Sequence, residues 1–195
     1  MKQYDVTDWY IKSCEKIKYM FPKAHAAAYV TNAFRIAWFK VHIPLAYYAA
    51  YYSIRAKAFD AEVMINGKEK VKNKMKEIDM LGNSATPKDK EMYDDLEIVL
   101  EMYERGFSFL PIDLYKSDAT KFKIEGEYLR PPLNSIAGLG TVAAESIARA
   151  REKEKFMSID DLKIRAKIGD SVTELLKQFG CLEGMSQSNQ LSLFG

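Results

Sequence analysis

The segment Ile136-Ala137-Gly138-Leu139-Gly140 sets two glycines one residue apart, just ahead of Val142, Ala143, Ile147 and Ala148 at helical spacing. A Gly-x-Gly turn that opens a helix exposes several backbone N–H groups together. With the helix dipole behind them, such amides can hold a phosphate without any charged side chain. A Cβ at either glycine would block close approach of a sugar-phosphate chain. Gly138, Leu139, Gly140 and Thr141 are therefore candidate phosphate contacts. A second, degenerate turn is expected at Lys167-Ile168-Gly169-Asp170, with Lys167 and Gly169 as its contacts. The competing reading is that these glycines only turn a helical hairpin inside a core.

Two further segments carry chemistry. The tail Gln190-Leu191-Ser192-Leu193-Phe194 places large apolar side chains at a polar terminus, where they cost solubility unless a partner covers them. Leu193 and Phe194 can enter an apolar pocket while Gln190 hydrogen-bonds at its rim. A tail that folds back on its own core is the alternative. The third segment, Lys16 to Tyr29, crowds lysines, aromatics and His25 around Pro22. Aromatic faces can stack on bases and lysines can meet phosphates. Judged alone, His25 fits a satisfied core histidine better than a ligand.

Helices must position most of these residues. One runs from Asp8, as its cap, to about Tyr19, and a second from about Lys23 to Val41. Pro44 opens a third, and an amphipathic helix covers about residues 60–80 with Val71, Met75 and Ile78 inward. Thr86-Pro87-Lys88-Asp89 predicts a capping box ahead of a helix ending at Gly106. Between residues 107 and 131 the period changes to that of two or three short strands, with a turn at Glu125-Gly126. Short helices return over residues 133–184. The fold class read from this pattern is mainly α with a small β element.

Composition narrows the class. The chain has 195 residues and a net charge of +2, with 48% hydrophobic residues. Residues 1–57 hold nine Lys/Arg against three Asp/Glu, whereas residues 58–195 hold twenty against twenty-four. A basic end with interleaved aromatics suits phosphates, although a solvated helical face explains it equally well. Residues 133–184 balance eight basic against eight acidic side chains, which favours amide-based over cation-based binding. No apolar run approaches the ~20 residues that span a bilayer, and no signal peptide is expected. Two distant cysteines, Cys14 and Cys181, suggest reduced thiols and a cytoplasmic setting.

The glycine turn resembles a helix-hairpin-helix motif, and the tail resembles the pentapeptide by which bacterial proteins dock on the sliding clamp. A wider resemblance joins them. Tyr19 to Tyr29, Arg35 to Lys40 and His42 to Pro44 resemble the fingers of family C DNA polymerases, in the wording of the PolC branch, the replicative polymerase III alpha chain. It continues through Glu104 to Phe109, Asp113 to Thr120, the hairpin and the tail, in the family's order. The resemblance implies four parts: fingers over residues 1–106, a β linker over 107–132, a tandem helix-hairpin-helix domain over 133–184, and a clamp-binding tail over 185–195.

The resemblance also implies roles. Tyr19 and His25 would lie against the nascent base pair and incoming dNTP, with Lys18, Phe21 and Lys23 as neighbours. The hairpins would grip duplex DNA, and Gln190, Leu191, Ser192, Leu193 and Phe194 would hold the clamp. The family's Mg²⁺-binding aspartates lie in a palm domain that is missing here, as are the other polymerase domains that would be its partners. No cofactor is expected in this chain, which alone should not polymerise DNA. Gly195 extends the family's usual phenylalanine end and could weaken the clamp contact. The alternative function is a stand-alone, non-enzymatic adaptor bridging DNA and clamp. A nuclease or repair protein that borrowed hairpin and tail is a weaker third.

Overall fold

The computed structural model describes residues 2–17 and 22–188. The chain divides after residue 42 into two compact units. In the first, α1 (Asp8–Lys16) follows Thr7, whose side chain makes no capping bond. Asp8, expected as the cap, instead takes the first helical position, where its charge meets the positive end of the helix. The chain leaves the helix at Ile17, earlier than expected. Next, α2 (Lys23–His42) starts on the Pro22 carbonyl, which accepts from the amides of His25 and Ala26. None of its residues is buried; Tyr29 and Phe34 are 67% and 72% exposed. A helix apolar on more than one side thus stays open among the described residues, whereas its composition alone suggests a packed interior.

The second unit begins with α3 (Pro44–Ile54), which buries Tyr48 and Tyr52 one turn apart. The single helix expected over residues 60–80 is two: α4 (Ala61–Met64) and α5 (Lys68–Leu81). Gly67 breaks it at φ +99°, a conformation that L side chains avoid. Tyr103 pins the break, since its hydroxyl accepts from the Gly67 amide at 3.3 Å and donates to the Met64 carbonyl at 2.8 Å. Val71 and Ile78 face inward as expected, with Met75 half-buried.

The capping box forms as predicted at α6 (Pro87–Glu104): Thr86 Oγ1 accepts from the Asp89 amide and the Asp89 carboxylate from the Thr86 amide. The inner face of α6 is Leu96, Val99 and Met102, with Leu100 and Tyr103 partly covered. A three-stranded sheet follows, β1 (Ser108–Phe109), β2 (Lys123–Glu125) and β3 (Tyr128–Arg130), in the order β1-β3-β2. β1 pairs with β3 in parallel, Phe109 opposite Leu129; β2 pairs with it in antiparallel, Ile124 opposite Leu129. Gly126 turns the β2–β3 hairpin at φ +62°.

Beyond the sheet lie α7 (Thr141–Lys153), α8 (Ile159–Ala166) and α9 (Asp170–Gln178). The described chain is therefore mainly helical with one small sheet. Its second unit holds two apolar clusters. One joins α3, α5, α6 and the sheet, centred on Tyr52, Leu96, Phe109, Phe122 and Leu129. The other joins α7, α8 and α9 through Ile147, Leu162 and Leu176, and also takes Ala61, Ile112 and Leu114 from earlier in the chain. Phe59 and Ile65 touch both clusters.

Candidate nucleic-acid interface

The approach to the first glycine turn is held from below. Leu133 to Ser135 form one 3-10 turn, and the amides of Leu133 and Asn134 donate to the carbonyls of Asp118 and Ala119 at 2.9 and 3.1 Å. The loop from Asp113 to Lys121 is itself fixed by Asp113 and Asp118, whose carboxylates accept amides two and three residues on. Arg151 of α7 donates to the carbonyls of Leu114 and Ser117, so the helix that starts at the glycine turn is tied back to the same loop. Ile136 and Leu139 are buried, 1% and 2% exposed, and anchor the turn from either side. Their backbones meet where the Leu139 amide donates to the Ile136 carbonyl at 3.0 Å.

The two glycines of the turn have different reasons to be glycine. Gly138 sits at φ +88°, and a Cβ there would come within 3.2 Å of Leu175 Cδ1 on α9. Backbone and packing together require it. Gly140 has φ −68° and ψ 157°, which any residue adopts, and an added Cβ would meet nothing within 4 Å. It is the cap residue of α7 and has no side chain to bond the first amides. A serine or aspartate there would stabilise the helix by about 1 kcal/mol more than a residue that cannot cap. Glycine at this position leaves that space empty and the leading amides of the helix without a side-chain cap. Thr141 is exposed, and its hydroxyl accepts from Asn134 Nδ2 at 3.4 Å.

The second turn repeats part of this arrangement. Gly169 caps α9 with no side-chain bond and open space where a Cβ would stand. Lys167 takes the left-handed region at φ +54°, strained for a residue with a side chain, and is exposed. Asp170, the first residue of α9, places a carboxylate beside those amides. Lys163 Nζ meets it at 2.5 Å and holds it below the ordinary carboxylate range. That ion pair offsets a negative charge that would otherwise repel an incoming phosphate.

The start of α8 is built in the opposite way. Ser158 Oγ accepts from the Asp161 amide, and the amides of Ile159 and Asp160 donate to the carbonyls of Ser186 and Gln187 at 2.9 and 3.1 Å. Its leading amides are consumed inside the protein. Of these three helices, α7 and α9 begin on uncapped glycines facing open space, and α8 does not. Sequence reasoning did not foresee the strap from Ser186 and Gln187, because backbone acceptors carry no residue signature. It also missed Arg149 and Lys153, although their spacing of four on α7 was legible.

The other candidates fall elsewhere. Lys23 and His25 lie exposed at the start of α2, with the His25 ring edge-on to Tyr29 at 4.5 Å between centroids. The expectation of a core histidine is thereby corrected: an open helix supplies no interior for it. Lys18, Tyr19 and Phe21 lie outside the described residues, as do Gln190, Leu191, Ser192, Leu193 and Phe194. Cys181 is a free thiol that burial pushes up to about 12. Among the described residues, no group of three or more His, Cys, Asp or Glu could hold a metal ion, and no helix is long and apolar enough to cross a membrane.

Comparison with known proteins agrees with this geometry. Residues 106–191 match the family model described as a helix-hairpin-helix motif. Over 194 residues, the chain is 55% identical to the DNA polymerase III PolC-type of Caldanaerobacter subterraneus subsp. tengcongensis. It is 56% identical to that of Oceanobacillus iheyensis and 54% to that of Bacillus subtilis. These matches cover 100% of the chain but 14% of each relative, so the chain spans about one-seventh of the length of the curated relatives it matches. Matched along its whole length and bearing a helix-hairpin-helix motif, the chain belongs to the PolC-type DNA polymerase III family as a segment of such a protein.

Proposed function

We propose that this segment grips duplex DNA through main-chain amides at the glycine turns, as part of a DNA-directed DNA polymerase. The observation that carries the reading is Gly140: neither its backbone angles nor its surroundings require glycine, yet no side chain caps the helix it opens and the space where its Cβ would stand is empty. A phosphate fits that position, since the helix start is positive and a Cβ would hold the strand away. Contact with phosphate oxygens carries no base information, so binding is indifferent to sequence. Gly138, Gly140 and Thr141 supply the first contact, with Leu139, buried and its amide held by the Ile136 carbonyl, anchoring the turn between them, and Gly169 and Lys167 supply a weaker second.

The test is Gly140→Val. Valine fits the local backbone and the open space, so the domain should still fold, at a cost of about 1 kcal/mol for the poorer cap. Affinity for duplex DNA should fall on the order of tenfold, the worth of a lost charge-assisted hydrogen bond. Unchanged affinity in a folded variant would refute the amide contact.

Two finer roles rest on the family resemblance. Within the full-length enzyme, Tyr19 and His25, with Lys18, Phe21 and Lys23, would contact the nascent base pair and the incoming nucleotide. The peptide Gln190 to Phe194 would hold the sliding clamp and keep the enzyme on its template by effective concentration. Alanine at Tyr19 or His25 in that enzyme should raise the nucleotide KM or lower kcat, and wild-type kinetics would remove both residues from the site. Catalytic carboxylates and their Mg²⁺ would be supplied by the rest of the enzyme, and this segment by itself would not extend a primer.

A further inference from the structure

The balance of eight basic and eight acidic residues over 133–184 conceals a local separation of charge. Arg149 and Lys153 stand four residues apart on α7, about 6 Å along its axis. With Arg165 and Lys167 they line a groove of about 480 Å³, whose remaining walls are Ser146 and Ala150. No carboxylate lines it. The groove is a built feature: Ser146 Oγ donates to the Ala166 carbonyl at 2.6 Å, which fixes the end of α8 against α7. Arg165 stacks its guanidinium over the Phe156 ring at 4.7 Å and donates to the carbonyls of Ala150, Glu154 and Lys155.

The four cations are not equally committed. Arg165 is also paired with Asp161 at 3.1 Å, so it holds the groove together and its charge is already neutralised. Arg149 is 66% exposed and has only a long contact of 3.7 Å to Glu145 on its own helix. Lys153 and Lys167 are exposed, and no ion pair engages either among the described residues. Cations this close repel one another, and a polyanion lying in the groove relieves that repulsion.

We propose that this groove is a second phosphate-binding site for the backbone of duplex DNA, formed by Arg149, Lys153 and Lys167 and separate from the glycine-turn amides. Continuity singles out DNA as the occupant. Lys167 belongs both to the groove and to the turn that ends in the uncapped Gly169, so a strand held at that turn can continue across α7. The inference rests on the proposed duplex binding, but its physical signature differs. Amides bind phosphate through partial charges, whereas cations displace condensed counterions and steepen the salt dependence of affinity by about 0.9 per contact.

The experiment measures binding of the 195-residue chain to duplexes of unrelated sequence by fluorescence anisotropy over a range of salt, for wild type, Arg149→Ala/Lys153→Ala and Gly140→Val. The double variant removes two exposed side chains, and a thermal melt matching wild type confirms its fold. Its plot of log Kd against log salt should be shallower by about 1.8, two contacts at 0.9 each. The charge-preserving pair Arg149→Lys/Lys153→Arg should restore the slope. Gly140→Val should weaken binding at every salt concentration and leave the slope unchanged.

An unchanged slope in the double variant overturns the groove, even if Gly140→Val behaves as expected. A changed slope with an indifferent Gly140→Val supports the groove and refutes the amide contact. A change confined to single-stranded DNA also overturns the proposal, as does wild-type affinity for DNA accompanied by lost binding of an acidic peptide. Absence of any duplex binding by the wild-type chain overturns both readings.

Discussion

Asp95 is 4% exposed, and its carboxylate accepts from the Ala58 amide at 3.1 Å and the Tyr51 hydroxyl at 3.3 Å. Burial, helped by the nearby charges of Asp94 and Glu91, pushes its pKa up against the downward pull of those two hydrogen bonds. The sign follows from linkage. Below the ordinary aspartate value of about 3.9, folded and unfolded chains are both protonated and the group contributes nothing. As pH rises towards the elevated folded value, the unfolded chain ionises first and folding is penalised; above that value the penalty is complete. Asp95→Asn keeps an acceptor for Ala58 without the charge. Wild type should therefore lose stability relative to the variant as pH rises from about 4, in urea melts at successive pH values. Parallel curves would contradict this assignment. Nothing in the residue order around Asp95 marked it as buried, since Asp94 beside it is exposed.

At the scale of elements, starts and stops with local chemistry were legible and those set by tertiary contact were not. Thr86-Pro87-Lys88-Asp89 specifies a helix start through its own side chains, and the capping box stands where expected. The break at Gly67 depends on Tyr103, 36 residues away, and so was read as one continuous helix. The turn at Gly138 was visible as a pattern, but its reason, the approach of Leu175 from α9, was not. The terminal peptide can be assessed only by its chemistry: Leu193→Ala/Phe194→Ala should abolish binding to the sliding clamp in a pull-down or calorimetric titration. Unchanged affinity would refute the docking role. The strap of Ser186 and Gln187 on α8 fixes the chain just ahead of this peptide, so the variant should leave the helical domain intact.

On the scale of the molecule, the two units contrast in how they treat apolar surface. Residues 43–188 gather a buried core in two clusters, and aromatic side chains of α3, the sheet and α6 interlock there, although Met80, Val142 and Ile164 stay exposed. The α2 helix buries none of its own. Composition described that helix as interior, because hydropathy registers what a surface requires and not whether its partner is present in the same chain. Charge shows the same limit. The sum over residues 133–184 is zero, and only folding brings Arg149, Lys153, Arg165 and Lys167 to one groove, where Asp161 pairs with Arg165 alone while Asp170 pairs with Lys163 outside it.

The glycine-turn contact is tested most directly by following backbone amide resonances of the isotope-labelled chain as duplex DNA is added. The largest shifts should fall on Gly138, on Gly140 to Ala143 and on Gly169 to Val172, with the amides of Leu139, Ile159 and Asp160 less moved because protein carbonyls already hold them. Shifts that spare both glycine turns while DNA binds would contradict the account.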